Sequence, residues 1–175
     1  MNINGMEIEH KYLIHFPDVE FLKNTDNAVV YDITQDYLLP VNSGVNRRVR
    51  KRSTGDMTEY FYTQKSHITD LKRIEIEKTI SENEYLELLK EKDPERNTIA
   101  KQRIGFYYSS QFFETDIFPF WTDRALMELE VESEEQAVML PPFIEVIKEV
   151  TSDKRYTNSA LAINIPFDNI SSEEN

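Results

Sequence analysis

The chain has 175 residues, with 20 Lys or Arg against 32 Asp or Glu, so its formal net charge is −12. This charge disfavours general binding to nucleic acid or to anionic membranes, because both require a positive field. The absence of cysteine excludes disulfides, thiolate metal sites and cysteine nucleophiles. No apolar run approaches about 20 residues and no signal peptide is evident, so we expect a cytoplasmic protein without a membrane span.

The length predicts a single domain, placed at residues 1–170, followed by a polar tail at 171–175. Alternation of polar and apolar residues predicts about eight strands. In chain order these are at 7–13, 27–37, 48–52, 59–65, 73–77, 99–103, 112–118 and 126–132.

Helices are predicted to be few and short. One is expected at 17–22, and a capping box from Ser81 to Glu84 predicts a second. A similar box beginning at Ser133 predicts a third helix through 140, stopped by Pro141-Pro142. Thr54-Gly55-Asp56 has the composition of a hairpin turn.

The polar faces of about six strands are nearly pure in charge. Glu7, Glu9 and Lys11 share one face of the first strand, and Glu128 and Glu130 share one face of the last. In most antiparallel sheets such a face points to water, but the recurrence on so many strands favours a charged lumen. The predicted fold is α+β and mainly β: an eight-stranded antiparallel β-barrel whose outer apolar face is covered by helices or by another subunit.

A lumen lined by both signs of charge requires a guest, because unpaired buried charges are costly. Arg and Lys suit phosphate oxygens, whereas carboxylates suit Mg²⁺ or Mn²⁺. The pattern therefore indicates a polyanion bound together with a divalent metal.

The motifs follow a fixed order along the chain. Glu7-Ile8-Glu9-His10-Lys11 is an ExExK pattern, and residues 149–158 read EVTSDKRYTN. Between them stand Arg48-Val49-Arg50, Glu75-Ile76-Glu77, Lys101 with Arg103, Glu114-Thr115-Asp116 and Glu128-Leu129-Glu130. In order and spacing, over about residues 6–166, this set resembles the CYTH, or triphosphate tunnel metalloenzyme, superfamily. It is most similar to the compact bacterial members, several of which are inorganic triphosphatases.

The resemblance implies a single tunnel domain that binds a triphosphate with Mg²⁺ or Mn²⁺. The metal ligands it implies are Glu7, Glu9 and Glu130, with Glu128, Asp116 and Glu77 as further candidates. The phosphate-binding residues it implies are Lys11, Arg48, Arg50, Lys65, Arg73, Lys101 and Arg103. Lys101, Tyr37 and Glu77 are the candidate catalytic groups, although Tyr37 could instead be a packing residue. The hairpin at 105–112 lacks the family's usual Asp-Gly turn, so the resemblance does not predict the structure of the tunnel rim.

The predicted activity is metal-dependent hydrolysis of a triphosphate, with inorganic triphosphate giving pyrophosphate and phosphate. A class IV adenylyl cyclase, a thiamine triphosphatase or a nucleoside triphosphatase on the same scaffold remains an alternative, because the triphosphate grip is shared. A non-catalytic module that binds polyphosphate or nucleotide is less favoured, since the metal carboxylates are all present. The expected partner is a small-molecule triphosphate, not nucleic acid or membrane, and formation of a homodimer is left open.

Overall fold

The computed structural model describes residues 6–41, 45–67, 73–133 and 135–170, with the backbone alone at 6–7, 66–67 and 73–75. Within these ranges, nine strands form one antiparallel sheet. They are β1 (Met6–His15), β2 (Val29–Leu38), β3 (Val45–Thr54), β4 (Met57–His67), β5 (Arg73–Ile80), β6 (Ile99–Tyr108), β7 (Gln111–Ile117), β8 (Arg124–Val131) and β9 (Val146–Glu149).

The sheet has the strand order β5-β4-β3-β2-β6-β7-β8-β1-β9. β5 also pairs with the start of β1, at Met6↔Ile74 and Glu7↔Arg73. Two residue pairs bring the two sides of the sheet together without joining them along their length, so the sheet is curled into a tunnel-like shape. The predicted fold class, mainly β with a few flanking helices, is confirmed. In place of the predicted eight-stranded closed barrel, the described strands form a curled nine-stranded sheet, with the short strand β9 as an addition.

Apolar side chains on the outer face of β1, β6, β7 and β8 form the largest core cluster. Phe106, Phe113 and Met127 are fully buried there, together with Leu22 from the helix α1 (Val19–Lys23). Ile144, from the segment between β8 and β9, packs against the same cluster. The outer face of these four strands is thus covered by the chain's own connections, as its apolar pattern requires.

The helix α2 (Glu82–Leu88) covers β3 and β4. Its capping box is formed as predicted: Glu84 N donates to Ser81 Oγ at 3.2 Å, and Ser81 N donates to Glu84 Oε2 at 2.8 Å. Tyr85 is buried in a small cluster with Leu38 and Val49. The two signals, the cap and the apolar residues of one helix face, agree, which is why this helix was predictable.

A second apolar cluster lies where the inward-facing residues change from charged to apolar. Along β1 the buried Lys11 is followed by Leu13, and along β8 Glu128 is preceded by Leu126. This apolar plug consists of Leu13, Tyr37, Ile99, Phe118, Trp121, Leu126, Val150, Tyr156, Leu161 and Ala162. Tyr156 ends a 3₁₀ turn (Lys154–Tyr156) and Leu161 ends the short helix α3 (Asn158–Leu161), so the C-terminal segment is anchored in the plug.

The helix predicted through residues 133–140 is wrong: no helix is present at 135–140, and Glu134 lies outside the described residues. Gln136 Oε1 accepts from Glu132 N at 2.9 Å, which makes a turn in place of a helical start. Beyond it, the Gln111 side chain binds Ala137 O and Met139 N, both at 2.8 Å, and ties this segment to β7. Hydrogen bonds to β7 therefore replace those that a helix would have made.

The hairpin between β6 and β7 is closed by Ser109 and Ser110, which have φ values of 50° and 63°. Both residues adopt the left-handed conformation that an Asp-Gly or Asn-Gly turn normally supplies. The hairpin whose turn was in question is thus a tight two-residue connection. No helix in the described ranges is long and apolar enough to cross a membrane.

Candidate active site

A cavity of about 450 Å³ lies inside the curled sheet. Among the described residues, its lining is rich in charge of both signs. The basic residues are Lys11, Arg47, Arg48, Arg50, Lys65, Arg96, Arg103 and Lys154, and the acidic ones are Glu9, Glu77, Glu114, Glu128 and Glu130. The excess of basic side chains gives the cavity a positive balance inside an acidic chain, which suits a bound polyanion.

Two carboxylates of the cavity face each other across neighbouring strands. Glu9 of β1 and Glu130 of β8 are directly paired in the sheet register, and the Lys11 ammonium lies 3.6 Å from Glu9 Oε1. Oxygen donors of this kind suit Mg²⁺ or Mn²⁺. In the described part of the chain, no three acidic or imidazole side chains converge closely enough to complete a metal site. The Glu7 side chain lies outside that part.

Arg103 of β6 is held by three carboxylates. Its guanidinium donates to Asp116 Oδ1 at 2.7 Å, to Glu128 Oε2 at 2.7 Å and to Glu114 Oε2 at 2.5 Å. Burial raises the pKa of Glu114, although Arg103 opposes that shift. Burial would also raise the pKa of Glu128, but Lys11 and Arg103 outweigh it and hold that pKa well below its usual range.

Lys101 lies directly behind this group. Its side chain is fully buried, and Nζ is 2.5 Å from Asp116 Oδ2. Burial lowers the pKa of the Lys101 ammonium to about 8, and the nearby Arg103 adds to this shift. The side chain of Asp116 is equally inaccessible. Lys101 and Asp116 thus stand behind the cavity surface, so direct contact with phosphate or metal would require their pair to open.

The opposite wall is formed by β3, β4 and β5. Arg48 and Arg50 of β3 both point into the cavity, within 3.8 Å and 4.0 Å of Glu77 Oε2. Glu77 of β5 also accepts a hydrogen bond from Thr63 Oγ1 at 2.9 Å. Lys65 of β4 lines the same wall. Here the basic side chains outnumber the one described carboxylate, so this wall is the more favourable side for phosphate oxygens.

Tyr37 lies where the cavity meets the apolar plug. Its hydroxyl accepts a hydrogen bond from Gln35 Nε2 at 3.1 Å, and the side chain is almost entirely buried. Burial raises the pKa of the Tyr37 phenol, while Arg48, Arg50 and Arg96 each act to lower it. Tyr37 therefore packs in the apolar plug and also lines the cavity. The catalytic role and the packing role predicted for it are thus compatible.

Comparison with known proteins identifies the family of this chain. No family model matches the chain. The chain is 36% identical over 164 residues to an inorganic triphosphatase of Nitrosomonas europaea, and the match covers 91% of this chain and 99% of that protein. A relative this similar over nearly its whole length decides the family. The chain belongs to the CYTH, or triphosphate tunnel metalloenzyme, family.

Solved structures agree with this family assignment. The crystal structure of an inorganic triphosphatase superposes with a TM-score of 0.58 at 32% identity, covering 91% of this chain and 96% of that one. A protein from Pyrococcus horikoshii has a TM-score of 0.54 at 23% identity, covering 73% of this chain and 80% of that one. The second likeness concerns the fold alone.

Within this CYTH protein, most of the predicted site residues line one cavity. These are Glu9, Lys11, Tyr37, Arg48, Arg50, Lys65, Glu77, Arg103, Glu128 and Glu130. Lys101 and Asp116 lie behind it, and the side chains of Glu7 and Arg73 are outside the described residues.

Several lining residues were not among the predicted ones: Asn46, Arg96, Glu114, Lys154 and Asn158. The EVTSDKRYTN segment contains Lys154 and Asn158, and Glu114 shares a strand face with Asp116, so these had a signal. Arg96 lies in an irregular connection and had none.

Proposed function

We propose that this protein hydrolyses inorganic triphosphate to pyrophosphate and phosphate with the help of Mg²⁺ or Mn²⁺. The observation that supports this most is a single cavity in which a basic wall, Arg48, Arg50 and Lys65, faces the paired carboxylates Glu9 and Glu130. The similarity to an inorganic triphosphatase over 91% of the chain supports the choice of substrate.

In this proposal the basic wall binds the phosphate oxygens. Arginine offers a planar fork that matches two oxygens of one phosphoryl group, whereas Lys65 offers a point charge. Glu9 and Glu130, with Glu7, would hold the divalent ion, which when bound would neutralise charge on the phosphate oxygens. Arg103 lines the same cavity in a fixed position, because three carboxylates hold it. Charge on the transferring group is thus stabilised by groups already in place.

The reaction needs no covalent intermediate. A water oxygen forms a bond to the phosphorus of one terminal phosphoryl group, and the bond from that phosphorus to the bridging oxygen breaks. Pyrophosphate leaves with the electrons of the broken bond, and one proton of the water passes to a nearby carboxylate. Glu77 is the proposed acceptor, because it lies on the cavity wall between the arginines and a Thr63 hydroxyl. Tyr37 and Lys101 are proposed to orient the groups that touch the substrate.

The test is phosphate release from a panel of triphosphates, each assayed with Mg²⁺ and with Mn²⁺. Inorganic triphosphate is expected to give the highest kcat/KM, ahead of thiamine triphosphate and the nucleoside triphosphates. Cyclic AMP formation from ATP, followed in the same reactions, distinguishes a cyclase. A higher kcat/KM for any organic triphosphate, or no turnover of inorganic triphosphate with either metal, would contradict the proposal.

A further inference from the structure

Arg96 occupies an irregular connection between α2 and β6, yet it lines the cavity. The connection is braced on both sides. Asp93 N donates to Tyr37 O at 2.9 Å, which ties it to β2, and Asn97 N donates to Ala162 O at 2.7 Å, which ties it to the C-terminal segment. Arg96 is therefore carried by a connection attached to two walls of the cavity.

The Arg96 side chain is also held in place. Its guanidinium carbon lies 5.1 Å from the centre of the Tyr37 ring, which is the geometry of a cation–π contact. Nε is 3.3 Å from Asp93 Oδ2, and Nη1 donates to Asn46 Oδ1 at 3.4 Å. These contacts use Nε, Nη1 and one face of the guanidinium.

The third nitrogen of the guanidinium, Nη2, remains available. Toward the residues that the structure describes, Arg96 Nη2 donates no hydrogen bond, and the side chain is 23% exposed. Two other arginines that line the cavity have carboxylate partners. Glu91 holds Arg47, and three carboxylates hold Arg103. Arg96 thus has donors directed at no protein acceptor in the described ranges.

Arg96 continues the line of basic groups on β3. Arg50 and Arg48 are two residues apart on that strand, so they are about 6.7 Å apart along the cavity wall. The next inward position on β3 is Asn46, and Asn46 is the residue to which Arg96 donates. A third basic group, supplied from outside the sheet, therefore stands at the end of the row Arg50, Arg48.

We propose that Arg96 is a specificity-determining residue that reads the length of the phosphate chain. It contacts the far phosphoryl group of a triphosphate, which a bound pyrophosphate, one phosphoryl group shorter, does not reach. The N–H groups of Nη2 suit such a terminal group, because charge-assisted hydrogen bonds to phosphate oxygens are strong. This inference rests on the proposed function, since it assumes that the row of arginines binds the polyphosphate.

The test compares dissociation constants for inorganic triphosphate and for pyrophosphate, measured by titration calorimetry with Ca²⁺ in place of the catalytic metal. Arg96→Gln is expected to weaken triphosphate binding by about tenfold or more, as for a lost hydrogen bond to a charged group, and to leave pyrophosphate binding unchanged. Arg96→Lys keeps the charge without the Nη2 donors, so it is expected to fall between Arg96→Gln and the wild type.

Lys90→Gln is the matched control, because it removes one basic charge from the same connection at a side chain that is 70% exposed. It is expected to bind both anions as the wild type does. Equal weakening of the two anions by Arg96→Gln, or unchanged binding of both, would overturn the proposal. Should Arg96→Gln fail to fold, Arg96→Lys provides the same comparison with a smaller loss that is again confined to triphosphate.

The two proposals fail in different ways. A wild-type protein that binds triphosphate without hydrolysing it contradicts the proposed activity, while the ratio of the two dissociation constants still decides the role of Arg96. A wild-type protein that hydrolyses triphosphate, with a ratio that Arg96→Gln does not change, contradicts the Arg96 proposal alone. A wild-type protein that binds neither anion contradicts both.

Discussion

The Glu9 carboxylate stands at the point where β1 and β8 bring two acidic residues together. We expect Glu9→Gln to lower kcat/KM for triphosphate on the order of a hundredfold or more, because a metal-ligating charge is lost while the shape is kept. Steady-state phosphate release with Mg²⁺ measures this, and thermal melts check that the variant folds. Glu20→Gln, at a side chain that is 80% exposed on α1, is the control. Wild-type turnover by Glu9→Gln would contradict the metal assignment.

The buried pair of Lys101 and Asp116 gives a second prediction. Asp116→Asn leaves the buried Lys101 ammonium without its carboxylate, so it is expected to destabilise the fold by about 3 to 5 kcal/mol. Lys101→Met is expected to cost less, because Asp116 keeps its two hydrogen bonds to Arg103. The double variant leaves no lone charge, and we expect it to lose less than the sum of the single variants by about 1 kcal/mol or more. Urea unfolding of the four proteins measures this coupling. Strictly additive losses would mean that the pair is not an energetic unit.

Among the elements, the short strand β9 has the most direct bearing on the site. The segment beyond it binds both backbone groups of Lys11: Val150 N donates to Lys11 O at 2.7 Å, and Lys11 N donates to Thr151 Oγ1 at 2.9 Å. Glu149 binds Thr151 Oγ1 at 2.7 Å and His10 Nδ1 at 2.9 Å. The outer side of β1 is thus fixed immediately behind the residues that line the cavity.

This attachment is expected to depend on pH. The hydrogen bond from His10, followed by that from Thr151, lowers the pKa of Glu149 below its ordinary value of 4.5. A carboxylate with a lowered pKa stabilises the fold above about pH 4.5, and this contribution disappears as the pH falls through the lower, folded-state pKa. Because the Glu149 side chain is 49% exposed, the contribution is expected to stay below about 1 kcal/mol.

We therefore expect Glu149→Gln to be less stable than the wild type near neutral pH, with a difference that shrinks as the pH falls below about 4.5. Urea unfolding at a series of pH values gives the two curves. Glu145→Gln, at a side chain that is 80% exposed just before β9, is the control and is expected to follow the wild type. A difference that stays constant with pH would show that Glu149 acts through packing alone.

The elements also show what the sequence can predict and why. Charges at alternate positions of β1, β3 and β8 fall on the cavity side because the side chains of a strand alternate between its two faces. Arg96 gave no signal, since its place in the cavity depends on hydrogen bonds between distant segments. The capping box at Ser133 misled because a local start signal competes with partners such as Gln111, which only the folded chain brings near.

At the scale of the whole molecule, a cavity with eight basic and five acidic described side chains is expected to be stabilised by its guest. A ligand at 100 times its dissociation constant adds about 2.7 kcal/mol, which corresponds to an increase in Tm of about 5 to 10 °C. Thermal melts with inorganic triphosphate and Ca²⁺ measure this. Orthophosphate at the same ionic strength is the control, and an equal shift with it would indicate a general salt effect.

The position of β1 in the sheet has a consequence for how the protein is made. The paired residues of β1 and β8 are far apart in the sequence. Their separation rises from 109 positions at His15↔Arg124 to 123 positions at Ile8↔Val131. During synthesis β1 therefore cannot pair with β8 until at least 109 later residues have been made. Contacts between segments so far apart form slowly, and an unpaired strand edge is exposed to aggregation in the meantime. The charged residues Glu9 and Lys11, which line the cavity in the folded protein, also make the unpaired β1 less prone to aggregation.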